Sequence, residues 1–335
     1  MTQSFDYKSA GVNIEAGEQA VLHIKTMVRS TFTSGVLTDI GRFGGFFAPD
    51  LGRYRRPVLV SSIDGVGTKL KVAFMMNRHD TVGEDLVNHC VNDILVGGAT
   101  PLFFMDYIGT GVLNTGDVES LISGMVRGCK AAGCALIGGE MAEMPGFYQT
   151  GEYDVAGSIT GIVEYDEIVD GSRIRSGDKL VGLPSTGLHT NGYSLARKVL
   201  FEHAGYDVNS EISGLQGSVG ENLLAIHRCY LPVVKALPEQ LIFRGMSHIT
   251  GGGIEGNTHR VLPGGLSLNI QWDAWQVPPI FKLIQETGNV PVSDMRRTFN
   301  LGIGFIFIVA PDQENLLIQS LADLGEKPIQ MGHVI

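Results

Sequence analysis

Apolar runs of strand length recur along this chain of 335 residues, and each ends in a turn rich in glycine. Residues 57–63, 102–108 and 135–137 are such runs, and a helical pattern over 117–132 stops at Gly133. The chain holds 45 glycines, about twice the usual share, without a collagen-like period. Because glycine lets backbone N–H groups approach a ligand, this pattern predicts a globular α/β protein that binds ligands at strand ends.

A polar patch over residues 165–178 follows a strand-like run at 153–164 and divides the chain into two parts. We place the domain boundary there, which gives an N-terminal domain of residues 1–170 and a C-terminal domain of residues 171–335. The second part has a strand at 179–183, a loop at 184–192, a helix at 193–203 and a late strand at 302–310. Both domains are therefore expected to mix α and β structure.

Charge and hydropathy exclude several classes of protein. The 44% hydrophobic and 18% charged residues are incompatible with a disordered chain, and the net charge of −10 without a basic segment disfavours nucleic acid as a partner. The start lacks the apolar core of a signal peptide, and no run has the length of a membrane span. The four cysteines form no Cys-x-x-Cys pair. We expect a cytoplasmic protein with reduced thiols and no contact with membranes.

The turn at residues 64–70 carries the parts of a nucleoside triphosphate site. Asp64 can hold Mg²⁺, Gly65 and Gly67 let backbone N–H groups approach an anion beside Thr68, and Lys69 supplies a positive charge for phosphate. The alternative is a tight Asp-Gly turn with a solvated lysine. An ordinary P-loop is excluded, because Gly-x-x-x-x-Gly-Lys-[Ser/Thr] occurs nowhere in the chain.

A predicted helix at residues 83–96 gathers its polar residues on one face. At 100° per residue, Asp85, His89, Asn92 and Asp93 fall within about a third of the circumference, opposite an apolar face. Such a stripe is often only a solvated surface. The glycine-rich turn that follows would bring Asp93 back beside the next strand, so Asp93 is a candidate second Mg²⁺ carboxylate.

Three further loops carry chemistry-bearing side chains. Glu140 and Glu143 follow another strand and could share a metal, or they could be solvated loop residues. The stretch at 185–192 lies between a strand and a helix, and the stretch at 248–253 precedes another helical start, so small and hydroxyl residues could form an anion pocket in each. Asn191 and Thr250 could instead only cap helices, and His189 and His248 could be structural histidines.

Seven stretches in this order strongly resemble the phosphoribosylformylglycinamidine cyclo-ligase family, the aminoimidazole ribonucleotide synthetases of purine biosynthesis. They are residues 64–70, 91–101, 138–146, 153–157, 185–195, 250–253 and 297–304. Asp93 with Gly98, Ala99 and Pro101 is similar to the signature of the wider ATP-binding superfamily, and residues 7–12 are similar to the cyclo-ligases' own N-terminal segment. The chain departs from the family pattern at Met141, where threonine is usual, and at residues 256–259.

The resemblance implies a two-domain α/β and α+β fold. The N-terminal domain would form a β-barrel across a homodimer, and the C-terminal α+β domain, a sheet flanked by helices, would complete the ligand cleft. It also implies ATP and Mg²⁺ as cofactors and formylglycinamidine ribonucleotide as the small-molecule substrate. ATP would phosphorylate the formyl oxygen to an iminophosphate, and the ring would close as phosphate leaves.

The resemblance also assigns residues to roles. The catalytic residues would be Asp64, Lys69, Asp93 and His248, the last for proton transfer, and the metal ligands Asp64, Asp93 and Glu140. ATP would contact Lys25, Gly65, Gly67, Thr68 and Lys69. The substrate would contact Glu140, Ser185, Thr186, His189, Asn191, Thr250, Gly251 and Gly252.

Two alternative functions remain open at this point. A kinase or synthetase of the same superfamily, such as a thiamine-monophosphate kinase, also places acidic residues around Mg²⁺–ATP, although residues 185–195 and 297–304 fit it poorly. A nucleotide-binding regulator without turnover would keep the glycine loops. It would not need Asp64, Lys69 and Asp93 together, so their joint presence favours an enzyme.

Overall fold

A computed structural model describes residue 7 and residues 10–335 of the chain. The Tyr7–Val12 similarity therefore lies partly outside the described residues, at Lys8 and Ser9. Packing divides the chain into two compact units. The first contains the described residues up to 91 and residues 100–164, and the second contains residues 92–99 and 165–335.

The first unit is built on a mixed four-stranded sheet. Strand order is β1-β4-β2-β3, with β4 antiparallel to both neighbours and β2 parallel to β3. Within the described residues β1 and β3 are the edges of this sheet, so it is open. The elements in chain order are α1 (Ile14–Arg29), β1 (Pro57–Gly65), α2 (Leu70–Met76), α3 (Asp80–Leu95), β2 (Thr100–Thr110), α4 (Thr115–Ala132), β3 (Ala135–Glu143) and β4 (Tyr153–Glu164).

Local signals in the sequence account for the bounds of α4. The Asn114 side chain accepts hydrogen bonds from the backbone N–H groups of Gly116 and Asp117 at the start of the helix. Gly133 ends it with a φ of 69°, in the left-handed region that favours glycine. The buried side of α4 includes Leu121 and Met125. The helix thus begins and ends where its capping residues dictate.

The second unit contains an antiparallel five-stranded sheet in the order β6-β8-β5-β9-β7. Strand β8, which lies between β6 and β5, is buried along its whole length. The elements are β5 (Lys179–Pro184), α5 (Tyr193–Arg197), α6 (Val219–Leu223), α7 (Leu231–Ala236), β6 (Phe243–His248), α8 (Gly253–His259), β7 (Leu268–Ile270), α9 (Pro279–Gly288), α10 (Val292–Thr298), β8 (Ile303–Val309), α11 (Glu314–Asp323) and β9 (Ile329–Val334).

The predicted elements are confirmed in type, with small shifts at their ends. The strand expected at 153–164 has those bounds, whereas the run at 135–137 continues as strand to Glu143. The helix expected at 193–203 is α-helical only to Arg197 and continues as a π-helix over Lys198–His203. In the described part of the chain, no helix has the length and apolarity needed to cross a bilayer.

Candidate active site

Asp64 lies near the end of β1, where the strand gives way to an exposed turn. Its Oδ2 is 2.8 Å from Nε2 of the buried His89 on α3, and its Oδ1 accepts the backbone N–H of Gly65 at 2.7 Å. The carboxylate keeps 36% of its surface exposed. Gly67 follows with a φ of 67°, which lets the chain turn tightly into a short 3₁₀ helix at Gly67–Lys69. The strand end therefore presents an oriented, partly open carboxylate beside exposed backbone.

Lys69 does not occupy the position that the sequence suggested. Its side chain is completely buried, and Nζ lies 2.6 Å from Oδ2 of Asp85, which is also completely buried. Burial lowers the pKa of Lys69, and the attraction of Asp85 opposes this shift. In this conformation the ammonium group neutralises a carboxylate inside the first unit. The expectation of a lysine that faces phosphate, and the alternative of a solvated lysine, are both corrected here.

The polar face of α3 is buried rather than solvated. In the first unit Asp85 pairs with Lys69 and His89 with Asp64, as described above. In the second unit Asn92 donates from Nδ2 to Arg228 O at 2.8 Å and accepts the N–H of Tyr230 at 2.9 Å. Polar groups removed from water need such partners. The helical pattern therefore identified the correct face, and its interpretation as a surface stripe is wrong.

A cavity of about 760 Å³ lies in the first unit between α1, the loop at residues 39–45 and strands β2 and β3. The exposed Glu140 lines it together with Glu143 and Asp106. Desolvation raises the pKa of Asp106 to about 7. Lys25 lies near this cavity, with Nζ 2.9 Å from Oδ2 of Asp39 in its lining. Glu140 thus lines the cavity, and Lys25 is paired with a residue of its lining.

In the second unit, the loop that follows β5 is fastened by Asn300. Asn300 donates from Nδ2 to Gly187 O and accepts the N–H of Gly302, both at 2.8 Å. Ser185 Oγ lies 3.0 Å from Gly187 O and from Asn300 Oδ1. Ser185 therefore helps to shape the loop in which it lies, and Asn300 holds the start of that loop.

His189 is a structural part of the same loop. It is completely buried with a φ of 60°, and its Nε2 accepts the N–H of Thr186 at 3.2 Å. Its ring stacks on that of His227 at a centroid distance of 4.0 Å. The Thr186 hydroxyl donates to Ile226 O. The expectation that His189 touches substrate is not supported by this burial; the residue holds the loop instead.

The glycine-rich loop after β6 lies next to Asn191. A Cβ atom at Gly251 would come within 3.1 Å of Asn191 Oδ1, so only glycine leaves that side chain its present position. The loop is organised by Asn257, which donates from Nδ2 to Gly253 O at 2.8 Å and to Thr250 O at 3.2 Å. The two loops predicted to bind substrate are therefore neighbours in the second unit.

His248 at the end of β6 has both ring nitrogens engaged. Nδ1 is 2.9 Å from Asp93 Oδ1, and Nε2 is 2.9 Å from Nε2 of His227. Only 2% of the His248 side chain is exposed, against 28% for Asp93. Because both ring nitrogens are engaged and the side chain is buried, this geometry disfavours direct proton transfer between His248 and a substrate. Asp93, by contrast, is partly open, as a ligand-binding carboxylate must be.

Sequence reasoning did not identify the contacts of several residues in and around the candidate site. These residues are His89, His227, Asn257 and Asn300, which bind predicted site residues or their loops, and the cavity residue Asp106. His89 was placed on the correct helix face, so only its partner was missed. No local signal marks the others, because each acts through contacts with segments that are distant in the sequence or through burial.

Two family models match the chain. The N-terminal domain of AIR synthase related protein matches residues 53–163, and the C-terminal domain of AIR synthase related protein matches residues 175–335. The fold and its strand-end carboxylates therefore belong to an AIR synthase related protein.

The most similar proteins compared include two bacterial phosphoribosylformylglycinamidine cyclo-ligases. The one from Alkaliphilus metalliredigens is 50% identical over 330 residues, covering 98% of this chain and 95% of that protein. The one from Geotalea daltonii is 51% identical over 328 residues, covering 98% and 94%. This chain belongs to the phosphoribosylformylglycinamidine cyclo-ligase family.

Solved structures share the fold at low sequence identity. Thiamine-monophosphate kinase from Stenotrophomonas maltophilia superimposes with a TM-score of 0.68 at 15% identity and covers 93% of each chain. Hydrogenase maturation protein HypE in complex with ATP gives a TM-score of 0.61 at 16% identity, over 94% of this chain and 83% of that one. At such identities the likeness concerns the fold alone. It confirms the expectation of a two-domain α+β protein, whereas the barrel across a homodimer stays a prediction.

Proposed function

We propose that this chain closes the imidazole ring of 5-aminoimidazole ribonucleotide from formylglycinamidine ribonucleotide, at the expense of ATP. The observation that carries the proposal is the 50% identity, over 98% of the chain, to a protein named for that cyclo-ligase activity. The chain is thus a ligase that forms a C–N bond. The kinase alternative has only a shared fold at 15% identity in its favour.

The chemistry proceeds in two steps on one bound substrate. The formyl amide oxygen attacks the γ-phosphorus of ATP, which forms an iminophosphate and releases ADP. The ribosyl-bearing nitrogen then attacks the formyl carbon, the C–O bond breaks and phosphate leaves. Water is a poor leaving group and phosphate a good one, so the first step makes the second possible. Since the attacking nitrogen is already tethered to its target, the protein contributes mainly positioning and charge neutralisation.

Asp64 and Asp93 are the proposed Mg²⁺ ligands, with Glu140 as a further metal or substrate contact. The donor set suits the ion, because Mg²⁺ prefers carboxylate oxygens and the two aspartates remain 36% and 28% exposed. Bound Mg²⁺ would offset the negative charge of the ATP phosphates. The turn at Gly65, Gly67 and Thr68, of which Gly67 and Thr68 are exposed, is proposed to hold the phosphates through its backbone. Lys25 is proposed to lie near the nucleotide.

The substrate is proposed to bind the two neighbouring loops of the second unit. Asn191, Thr186 and the Thr250–Gly252 stretch offer amide, hydroxyl and backbone groups for its phosphate or amidine. Support comes from the fastening of these loops by Asn300 and Asn257, because groups held in advance lose little freedom on binding.

A cytoplasmic homodimer is part of the same proposal. On β1, Leu59 and Ile63 point away from the buried side of the sheet and are 64% and 72% exposed, and Met105 and Tyr107 of β2 are also exposed. Apolar side chains grouped on an open sheet face are typical of an interface. A second copy that contributes its own strands would complete the barrel that the family resemblance implies.

A coupled ADP-release assay tests the proposal. ADP should appear only when ATP, Mg²⁺ and formylglycinamidine ribonucleotide are all present. Thiamine monophosphate in place of the ribonucleotide should give no release above background. Consumption of ATP at an equal rate without the ribonucleotide, or release with thiamine monophosphate alone, would contradict the assignment.

A further inference from the structure

A chain of hydrogen-bonding side chains runs through the interior of the second unit and ends on Asp93. It consists of Thr190, His227, His248 and Asp93, and all but Asp93 are buried. Thr190 Oγ1 is 3.4 Å from His227 Nδ1, the two Nε2 atoms of His227 and His248 are 2.9 Å apart, and His248 Nδ1 is 2.9 Å from Asp93 Oδ1. We propose that His227 is a positioning residue that, through His248, fixes the carboxylate of Asp93 for metal binding.

The directions of the hydrogen bonds follow from what each group can donate. An ionised carboxylate only accepts, so the Nδ1–H of His248 donates to Asp93. In the neutral ring, Nε2 of His248 then carries no hydrogen and must accept from the Nε2–H of His227. Nδ1 of His227 is left as the acceptor for the Thr190 hydroxyl. In this arrangement each ring donates once and accepts once. Asn92 Nδ2 also lies 3.3 Å from His227 Nε2, but its shorter contact is the one to Arg228 O at 2.8 Å, so we assign the Nε2 hydrogen of His227 to the 2.9 Å contact with His248.

Contacts on His227 explain why it can hold another ring in place. It is completely buried and stacked on His189 at a centroid distance of 4.0 Å, with 17° between the ring planes. The following residue, Arg228, is fixed through its carbonyl oxygen by Asn92. A ring that is packed on its face and anchored in its backbone has little freedom to turn. It therefore restricts His248, which in turn restricts the carboxylate that accepts from it.

The same three histidines do not form a convincing metal site of their own. The in-plane nitrogen lone pairs of His189 and His227 lie in two nearly parallel planes, because the rings are stacked at 4.0 Å with 17° between them, so these lone pairs do not converge on one point. A separation of 2.9 Å between the nitrogens of His227 and His248 is that of a hydrogen bond. Two nitrogens bound tetrahedrally to Zn²⁺ at about 2.0–2.1 Å would lie roughly 3.3 Å apart.

The consequence for the reaction rests on the proposed role of Asp93 as a Mg²⁺ ligand. Partners that orient a metal ligand typically change metal affinity by about 10–100-fold when removed. Replacing His227 by Leu takes away the donor to His248 and lets that ring and Asp93 reorient. His227→Gln keeps an amide near the former Nε2 position and can still donate.

The first measurement needs neither metal nor turnover. Nitrogen-15 NMR of the histidine rings in the full-length protein should show a neutral Nδ1–H tautomer for His248 and an Nε2–H tautomer for His227. Finding the Nε2–H tautomer on neutral His248 would overturn the proposal. Binding of Zn²⁺ or Co²⁺ to the nucleotide-free protein that is lost in His227→Leu would also overturn it, in favour of a histidine metal site.

The second measurement is metal affinity. His227→Leu should weaken Mn²⁺ binding, followed by electron paramagnetic resonance with a non-hydrolysable ATP analogue, by about tenfold or more, and should raise the Mg²⁺ half-saturation of ADP release similarly. His227→Gln should stay within about threefold of the native protein. His79→Leu, which removes an equally buried histidine bonded to Tyr153 in the first unit, is the matched control and should leave metal affinity unchanged.

The outcomes separate this inference from the proposed function. If the native protein shows coupled ADP release but His227→Leu binds Mn²⁺ as tightly as the native protein does, only the positioning role is overturned. Absence of coupled release, with the expected tautomers and Mn²⁺ affinities, would leave the positioning role standing and remove the cyclo-ligase assignment. If His227→Leu does not fold, the histidine tautomers of the native protein and the Mn²⁺ affinity of His227→Gln test the positioning role.

Discussion

At the scale of single residues, Asp93 combines partial exposure with a fixed hydrogen bond to His248. Replacing it by Asn removes the charge that a Mg²⁺ ligand needs while keeping nearly the same shape. We expect turnover to fall by two orders of magnitude or more, with only a small change in melting temperature, because the side chain faces solvent in part. Steady-state ADP release and thermal unfolding measure the two effects. An unchanged kcat would remove Asp93 from the metal site.

The buried pair of Lys69 and Asp85 makes a prediction about stability. Lys69→Met leaves an uncompensated carboxylate in the interior, which should lower the free energy of unfolding by about 3–5 kcal/mol. The double variant with Asp85→Leu should recover much of this loss. Lys71→Met is the control, since its pair with Glu152 is partly solvated, with 41% and 29% of the two side chains exposed, and is worth about 1 kcal/mol or less. Urea unfolding that gave equal losses for Lys69→Met and Lys71→Met would contradict the buried pair.

The raised pKa of Asp106 predicts how stability depends on pH. An aspartate in an unfolded chain has a pKa of about 3.9, whereas desolvation raises that of Asp106 in the folded protein to about 7. Between these values the folded state retains a proton that the unfolded state has lost. Its contribution to the free energy of unfolding therefore falls as pH rises through this window, by at most about 1.4 kcal/mol per pH unit.

Asp106→Asn should remove this contribution and flatten the pH dependence between about pH 4 and 7. Thermal unfolding at a series of pH values measures it, and Asp154→Asn, at an exposed position of β4, is the control expected to leave the slope unchanged. If Asp106→Asn kept the same pH dependence of stability as the native protein, the proton would be bound at another group.

At the scale of elements, helices α3 and α4 approach each other through glycines. A Cβ atom at Gly124 would lie 1.8 Å from Asp80 O, and one at Gly83 would lie 2.0 Å from Leu121 O. Because backbone rather than a flexible side chain is in the way, Gly124→Ala should push the helices apart and destabilise the protein by about 1–3 kcal/mol.

Gly17 in α1 provides the matched control for Gly124. No atom lies within 4 Å of a Cβ placed there, so Gly17→Ala should stabilise slightly through helix propensity, by roughly 0.5–1 kcal/mol. Melting temperatures of the two variants should therefore move in opposite directions. A Gly124→Ala protein as stable as the native one would mean that the two helices are not so closely packed.

How far the sequence predicts the elements depends on the range of the interactions. The strand at 153–164 and the end of α4 at Gly133 depend on local periodicity and capping, so they are recognisable in the sequence. The polar face of α3 was also identified by periodicity. Its partners were not, because Asp85 binds Lys69 on another element and Asn92 binds Arg228, 136 residues away. Burial of a lysine depends on tertiary packing that no local pattern encodes.

The residues of the candidate site divide in the same way, between those marked by local patterns and those determined by contacts with distant segments. Asp64 near the end of β1 and Asp93 near the end of α3 each precede a recognisable glycine-containing turn, and each side chain remains partly exposed. The roles first given to Lys69, His189 and His248 rested on residue type, on position in a motif and on the family resemblance. In the structure the three are buried and bonded to protein groups. Residue type and spacing thus identified the loops. The partners of each side chain determine which residues of those loops can contact a ligand.

At the scale of the whole molecule, the exposed apolar face of the first sheet predicts self-association. The protein should elute near twice its mass of 36.0 kDa in size-exclusion chromatography at micromolar concentration. Ile63→Asp places a charge on that face and should shift elution to the monomer with an unchanged circular dichroism spectrum. Leu324→Asp, at an exposed position of the second unit, should not. Elution of the native protein as a monomer would remove the homodimer.

The same face makes the stability of the newly made chain depend on its concentration. If a second copy covers Leu59 and Ile63, mass action makes the melting temperature rise with protein concentration, and dilution alone weakens the fold. Until copies meet, these exposed apolar side chains on edge strand β1 can contact other chains. A cell that expresses too little of the chain would then keep a larger fraction of it as monomer, exposed to proteolysis, before any substrate is bound.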